Sequence, residues 1–157
     1  MKDVTLPGSL LAEMKGHARE AYPDECCGFL IGEAPEREGN DRRAIDALER
    51  GRNDFDGERH RRFLIRPEEL RELERRVEGS GRAVVGFYHS HPDHPARPSQ
   101  FDQDHAWPWY SYIVLSVTAT DVVAAGAFEL EPESATFREV RLLVPEGPVR
   151  VPSVVGK

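Results

Sequence analysis

The sequence predicts a single α/β (α+β) domain in which a mixed central β-sheet is flanked by helices. Apolar residues recur at helical spacing in two stretches, one before residue 22 and one after residue 67. Short runs rich in β-branched and aromatic residues lie between and after these stretches. Because the strands mix with two main helices without strict alternation, we expect helices packed against a mixed sheet.

The first half of the chain contains one clear helix. The apolar stripe of residues 7–21 predicts an amphipathic helix that begins near Pro7 or Ser9 and ends before Pro23. The segments predicted next are a buried strand at residues 27–31, a polar loop at 32–43, a weak strand at 44–48 and a turn-rich stretch at 51–57.

Proline and glycine delimit the second helix. Pro67 suits a first helical position, and the apolar face of Leu70, Leu73 and Val77 runs up to Gly79. The other elements predicted are strands at residues 63–65, 83–88, 112–117, 122–130 and 137–144, and a short helix at 100–106.

Composition limits the classes of function. The 157 residues suffice for one domain with a core, and 39% hydrophobic against 31% charged residues is typical of a globular chain. A net charge of −7 argues against binding to a nucleic-acid backbone. The two cysteines, Cys26 and Cys27, are adjacent and form no disulfide framework. We find no signal peptide or membrane-spanning run, so we expect a cytoplasmic protein.

The strongest functional signal is His89-Ser90-His91-Pro92, which follows the apolar run at residues 83–88. In an extended chain the two imidazoles project to the same side, and Pro92 favours an end to strand pairing. Ten residues later Asp102 offers a carboxylate. Two nitrogens and one oxygen form a three-ligand set typical of catalytic zinc, which leaves a fourth position for water.

Each half of this pattern also has a purely structural interpretation. Ser99-x-x-Asp102 is compatible with a helix start in which Ser99 is the N-cap. Paired histidines beside a proline are compatible with a solvated loop. The two halves together, at this spacing, favour a metal site.

The order His-Ser-His-Pro, six residues, then Ser-x-x-Asp resembles the signature of the JAMM (MPN+) metalloprotease family, with its cytidine deaminase-like architecture. The family also uses an upstream glutamate before a Cys-Gly-apolar strand, and residues 23–32 are similar to that segment and offer Glu25. The resemblance extends over roughly residues 10–144, so we expect one catalytic domain at 1–144 and a proline-rich tail at 145–157.

The resemblance implies a role for each site residue. His89, His91 and Asp102 would hold one zinc ion per chain, Glu25 would act as general base and acid, and Ser99 would donate a hydrogen bond to the oxyanion. Zinc is favoured over other divalent ions by the ligand set but is not proved by it. If Glu25 is only a surface charge, Asp24 or Glu33 is the next candidate for the base.

Several other residues near the motif have open roles. Ser90 should point away from the metal and hydrogen-bond behind it. His94 and His105 could contact substrate but fit solvated positions better, and His17 and His60 read as surface residues. Trp107 and Trp109 could line a groove, although core packing is the commoner role of such aromatics.

The resemblance also implies a substrate class. The short segment at residues 92–99 and the lack of ligands for a second zinc site argue against polyubiquitin cleavage. The compact form is similar to bacterial members that act on ubiquitin-like sulfur-carrier proteins of the ThiS/MoaD type. Hydrolysis would follow the carrier's terminal Gly-Gly, whether in cysteine release, precursor trimming or conjugate removal.

Two alternatives come from other functional classes. One is a zinc-dependent hydrolase of short peptides or small amides without a carrier partner. The other is a non-catalytic, metal-bound interaction module, against which the intact Glu25 and Ser99 argue. A zinc deaminase is disfavoured because the sequence has neither His-x-Glu nor Pro-Cys-x-x-Cys.

Overall fold

A computed structural model describes residues 3–34, 42–60 and 62–145. The strands are β1 (Asp3–Thr5), β2 (Cys27–Glu33), β3 (Arg42–Arg50), β4 (Arg82–Pro92), β5 (Ser111–Val117), β6 (Val122–Leu130) and β7 (Phe137–Leu143). The helices are α1 (Gly8–Ala21), α2 (Pro67–Val77) and α3 (Gln100–Asp104). None of the helices in these three ranges is long and apolar enough to cross a membrane.

The strands form one closed, mixed sheet in the order β1-β3-β2-β4-β5-β6-β7. β4 and β5 are parallel neighbours, and β2 runs antiparallel to β4 with Cys27 opposite His89. β5 is buried throughout and β4 is buried from Val84 onward, which explains why both read as near-continuous apolar runs. Gly86 is required by the close approach of β5, since a Cβ there would collide with the Ser111 carbonyl.

Alternate residues of β4 and β5 face two apolar layers. On one side, Met14 and Ala18 of α1 pack with Tyr88 in the larger core cluster. On the other side, Leu73 of α2 packs with Phe87 in the second cluster. His89 and His91 share the Phe87 side because side chains alternate along a strand. The sheet therefore separates the α1 side from the side that carries both histidines.

The predicted fold class is confirmed, and most elements lie where the sequence places them. β2 and β4 are longer than predicted, β1 was missed, and the loop at 32–43 shortens because β2 reaches Glu33 and β3 begins at Arg42. Residues 35–41 and residues 146–157 of the predicted tail lie outside the described residues. The boundary between domain and tail stays a prediction.

The predicted strand at residues 63–65 is wrong. The segment pairs with no strand of the described sheet; instead the Leu64 N–H donates to the Asn53 side chain at 3.2 Å, and the Leu64 carbonyl accepts from Asp54 N–H at 2.9 Å. Phe63 stacks on the His89 ring, with centroids 4.5 Å apart. Ile65 packs against the second apolar cluster and Leu64 is exposed, so this run of three apolar residues resembles a strand but has no sheet partner.

Candidate metal centre

The two histidines converge at the carboxyl end of β4. His89 is 2% exposed and His91 is 6% exposed. Their Nε2 atoms lie 3.2 Å apart, because residues i and i+2 of a strand point to the same side. Val114 and Ser116 of β5 pair with these two positions and fix the backbone beneath them.

Asp102 reaches the histidines from α3. Ser99 is the N-cap of this helix: its hydroxyl accepts the Asp102 N–H at 3.1 Å, and Asp102 Oδ2 accepts the Ser99 N–H at 2.8 Å. The same Oδ2 lies 3.0 Å from Nε2 of His89 and 3.0 Å from Nε2 of His91. The helix start thus aims the carboxylate at the two imidazoles.

These three atoms have the spacing of metal ligands. Tetrahedral zinc with bonds of about 2.0–2.1 Å separates neighbouring ligand atoms by roughly 3.3–3.4 Å. The three separations here are 3.0, 3.0 and 3.2 Å. The cluster could therefore hold a metal ion.

Hydrogen bonding of His91 supports the same conclusion. Its Nδ1 lies 3.1 Å from the Pro95 carbonyl oxygen, which can only accept, so Nδ1 carries the hydrogen. In the neutral ring Nε2 then carries no hydrogen, and its lone pair points at the Asp102 carboxylate. Two acceptors facing each other are stabilised only by a cation or an added proton between them. A bound metal satisfies this need.

Charge and burial act in opposite directions on Asp102. Without a metal, an added proton takes the place of the cation between the carboxylate and the rings. Burial alone would raise the pKa of this carboxyl, but the charge of His89, the hydrogen bonds that both protonated rings donate and the Ser99 N–H lower it well below its usual range. The carboxylate is therefore ionised, as a metal ligand must be.

Glu25 is the second buried carboxyl of the site. It precedes β2, is 4% exposed, and its Oε1 has no hydrogen-bond partner among the described residues. Ligand atoms of Glu25, His89 and His91 all lie within 4.8 Å of one another. Burial, followed by the charge of Asp102, raises the pKa of Glu25 to about 9. Asp102 Oδ2 lies 3.0 Å from both histidine Nε2 atoms, whereas no hydrogen bond joins Glu25 Oε1 to either ring.

The backbone of Glu25 is fixed from three directions. Its N–H donates to the Arg59 carbonyl at 2.7 Å, and its carbonyl accepts from the Asn53 amide at 3.0 Å. The next residue, Cys26, donates its N–H to Ser90 Oγ at 2.8 Å, and its carbonyl accepts the Ser90 N–H at 3.1 Å. Ser90 thus points away from the histidines, as predicted, and ties the glutamate segment to β4.

Asn53 organises the loop over the site and is a residue that sequence reasoning missed. Its Nδ2 donates to the carbonyls of Glu25 and Arg62, at 3.0 and 3.1 Å. Its Oδ1 accepts the N–H groups of Phe55 and Leu64, at 3.1 and 3.2 Å. The side chain therefore uses both donors and both acceptor positions. The one sequence signal for this role is the position of Asn53 in a turn-rich stretch.

An apolar cavity of about 240 Å³ adjoins the cluster. His89 and Asp102 form part of its wall, and Leu64 and Trp107 are exposed side chains on its lining. Trp107 is 52% exposed, so the groove interpretation of this residue fits better than core packing. The other lining residues are Phe63, Ile65, Arg66, Pro67, Leu70, Phe87, Pro98, Phe101, His105, Tyr112 and Phe137.

The remaining sequence candidates lie at the margins of the site. His94 and His105 are exposed, and His105 also lines the apolar cavity. Glu33 is exposed at the opposite end of β2 from Cys27, roughly 20 Å along the strand. Asp24 instead lines a second cavity with Glu25.

His17 was predicted to be a surface residue, and this is wrong. Its Nδ1 lies 2.8 Å from the Tyr88 hydroxyl, and the ring is half-buried between α1 and β4. Burial, followed by the charge of Arg50, lowers the pKa of His17 to about 4. The apolar stripe of α1 gave no sign of this contact, because His17 is a polar residue whose partner is distant in sequence.

Comparison with known proteins identifies the family of this chain. The family described as "Prokaryotic homologs of the JAB domain" matches residues 7–129. A desampylase from Haloferax volcanii is 35% identical over 105 residues, which cover 64% of this chain and 70% of the relative.

Solved structures show the same fold. A protein from Desulfitobacterium hafniense has a TM-score of 0.74 at 29% identity, covering 92% of this chain and 94% of that one. A protein from Salinibacter ruber has a TM-score of 0.66 at 32% identity, covering 96% and 95%. A JAB1/MPN domain protein from Archaeoglobus fulgidus, at 20% identity and a TM-score of 0.52, covers 91% and 99% and supports the fold alone.

The fold and the histidine-carboxylate cluster define a JAB/MPN-type hydrolase. Within this class, the chain belongs to the prokaryotic JAB family, and the resemblance noted from the sequence is confirmed.

Proposed function

We propose that this protein is a zinc-dependent peptidase or isopeptidase that hydrolyses the amide bond after the C-terminal Gly-Gly of a ubiquitin-like protein. Sulfur-carrier proteins of the ThiS/MoaD type are the substrate class that we favour. The observation that carries the proposal is the triangle of His89, His91 and Asp102 ligand atoms, 3.0–3.2 Å on each side, next to buried Glu25. The relative named desampylase supports an isopeptidase of this kind.

In this proposal His89, His91 and Asp102 hold one zinc ion. When bound, the ion supplies a water of lowered pKa and polarises the scissile carbonyl. The Pro95 carbonyl fixes the His91 tautomer, and the Ser99 N–H orients the Asp102 carboxylate. These contacts orient His91 and Asp102 for binding in the metal-free protein.

Glu25 is the proposed proton carrier. The pKa of about 9 belongs to the metal-free site, and the charge of a bound cation would lower it, so that Glu25 would be ionised. Its unpartnered Oε1 would then accept a proton from the attacking water and deliver a proton to the leaving amine. The fixed backbone on both sides of the residue keeps the carboxyl at one distance from the histidines. Burial keeps bulk water from competing for that oxygen.

Ser99 is the proposed donor to the oxyanion. Its hydroxyl oxygen accepts the Asp102 N–H as N-cap, which leaves the hydroxyl hydrogen for another partner. One well-placed donor of this type is worth about 2.7–4 kcal/mol in the transition state. The structural and catalytic interpretations of Ser99 are therefore compatible.

Intact-mass spectrometry tests the proposal directly. A ThiS/MoaD-type carrier with a short extension after Gly-Gly is incubated with the wild type, with Glu25→Gln, and with the wild type plus a chelator. We expect loss of the extension with the untreated wild type alone, because the other two samples lack the base or the metal. Glu25→Gln should still bind zinc.

Glu33→Gln is the matched control, because it makes the same change in an exposed glutamate far from the site. It should cleave at the wild-type rate. Near-wild-type cleavage by Glu25→Gln would overturn the role of Glu25. If short peptides are cleaved as fast as the carrier, the protein is instead a hydrolase of short peptides or small amides that needs no carrier partner.

A further inference from the structure

The apolar cavity beside the metal cluster has no role in the steps above. Its volume of about 240 Å³ exceeds the roughly 150 Å³ of an engineered protein cavity that binds benzene. It therefore has room for one large hydrocarbon group. Aromatic side chains form much of the wall, including Phe87, Tyr112 and Phe137, whose rings contact one another.

The position of the cavity selects the part of the substrate that fills it. His89 and Asp102 belong both to its wall and to the metal cluster, so a group in the cavity lies next to the scissile bond. On the acyl side the two nearest residues are glycines, which have no side chain. The third lies about 7–10 Å away, since an extended chain advances about 3.3 Å per residue. The first residue on the leaving side is bonded directly to the scissile nitrogen, so its side chain lies next to the cavity.

We propose that the cavity binds a large apolar group attached to the leaving nitrogen. This inference rests on the proposed function and specifies its substrate. If the leaving nitrogen is the α-amine of a leucine, phenylalanine or methionine after Gly-Gly, the side chain of that residue is the apolar group. A lysine joined through Nε would supply it from the methylenes of its stem. An aspartate would be disfavoured, because most of the cavity wall is apolar and its one arginine, Arg66, is already paired with Asp54 at 3.2 Å.

Competition between carriers with different residues after Gly-Gly tests the inference. Carriers ending Gly-Gly-X with X as Leu, Phe, Ala or Asp are mixed in equal amounts, and intact-mass spectrometry gives relative kcat/KM values. We expect Leu and Phe to exceed Ala by roughly 10- to 100-fold, with Asp slowest. A conjugate in which Gly-Gly is joined to a lysine Nε is added to the same mixture. Its relative kcat/KM shows whether the enzyme prefers a lysine Nε or an α-amine as the leaving nitrogen.

Leu70→Trp fills the cavity from α2 and should bring the Leu to Ala ratio close to one. Val123→Trp adds the same side chain to an exposed site on β6 outside the cavity lining, and should keep the wild-type ratio. If Leu70→Trp does not fold, the wild-type series decides alone.

Equal cleavage of all four carriers would overturn the inference and leave the proposed function intact. Cleavage of none of them would overturn the proposed function itself.

Discussion

Asn53→Asp isolates the link between Glu25 and the loop above it. The carboxylate keeps both acceptor positions for the N–H groups of Phe55 and Leu64. It loses both donors, so the carbonyls of Glu25 and Arg62 face an oxygen. The variant therefore preserves the loop contacts and removes the contact that positions Glu25, the proposed general base.

The magnitude follows from those two lost hydrogen bonds. Each contributes about 0.5–1.5 kcal/mol net, so we expect the free energy of unfolding to fall by roughly 1–3 kcal/mol. A displacement of about 1 Å in a catalytic group costs on the order of 100-fold in rate. We therefore expect kcat to fall at least 10-fold while KM changes little, since the lost contact is with the proposed base and not with the substrate.

Thr118→Ala is the matched control. The Thr118 hydroxyl also makes several hydrogen bonds within a turn, to Thr120 and Asp121, but it lies outside the site. Both variants are compared by urea denaturation and by steady-state cleavage of a Gly-Gly carrier. Thr118→Ala should lose stability and keep kcat. A folded Asn53→Asp variant with kcat within twofold of the wild type would refute the positioning role.

Two further predictions concern metal and pH. Zinc at 100 times its Kd adds about 2.7 kcal/mol to the free energy of unfolding, so its removal by a chelator should lower Tm by roughly 5–10 °C. The variant His94→Gln, which changes an exposed residue, should show the same shift, whereas His91→Gln should show none. The pKa of His17 is lower in the folded state, about 4, than the ordinary value of 6.5, so its contribution to stability is complete above pH 6.5 and is lost as pH falls toward 4. In chelator, the free energy of unfolding of the wild type should fall over this range by about 1–2 kcal/mol more than that of His17→Gln, after allowance for the exposed half of the ring; parallel pH profiles in urea titrations would contradict this.

The elements that position the ligands are predictable from local patterns. β4 is a continuous apolar run that ends in His-Ser-His-Pro, so its period of two fixes the direction of both imidazoles. Ser99 and Asp102 form a local capping box, and this requires only four consecutive residues. The site appears where these two local signals meet.

The contacts that sequence reasoning missed join residues distant along the chain. Phe63 was assigned to a strand because it begins a run of three apolar residues before Pro67, but it stacks on His89, 26 positions later. β1 has only three residues and is held by parallel pairing to β3 and β7. The hydrogen bonds of Asn53 and the pairing of His17 with Tyr88 depend on tertiary structure that no local period encodes.

A zinc titration of the metal-free protein tests the central claim most directly. Zinc bound per chain and cleavage of a Gly-Gly carrier are followed in the same samples, for the wild type and for Asp102→Asn. We predict that both quantities saturate together at about one zinc per chain in the wild type, and that Asp102→Asn binds zinc much more weakly. Full cleavage before any zinc is added, or equally tight binding by Asp102→Asn, would contradict the account.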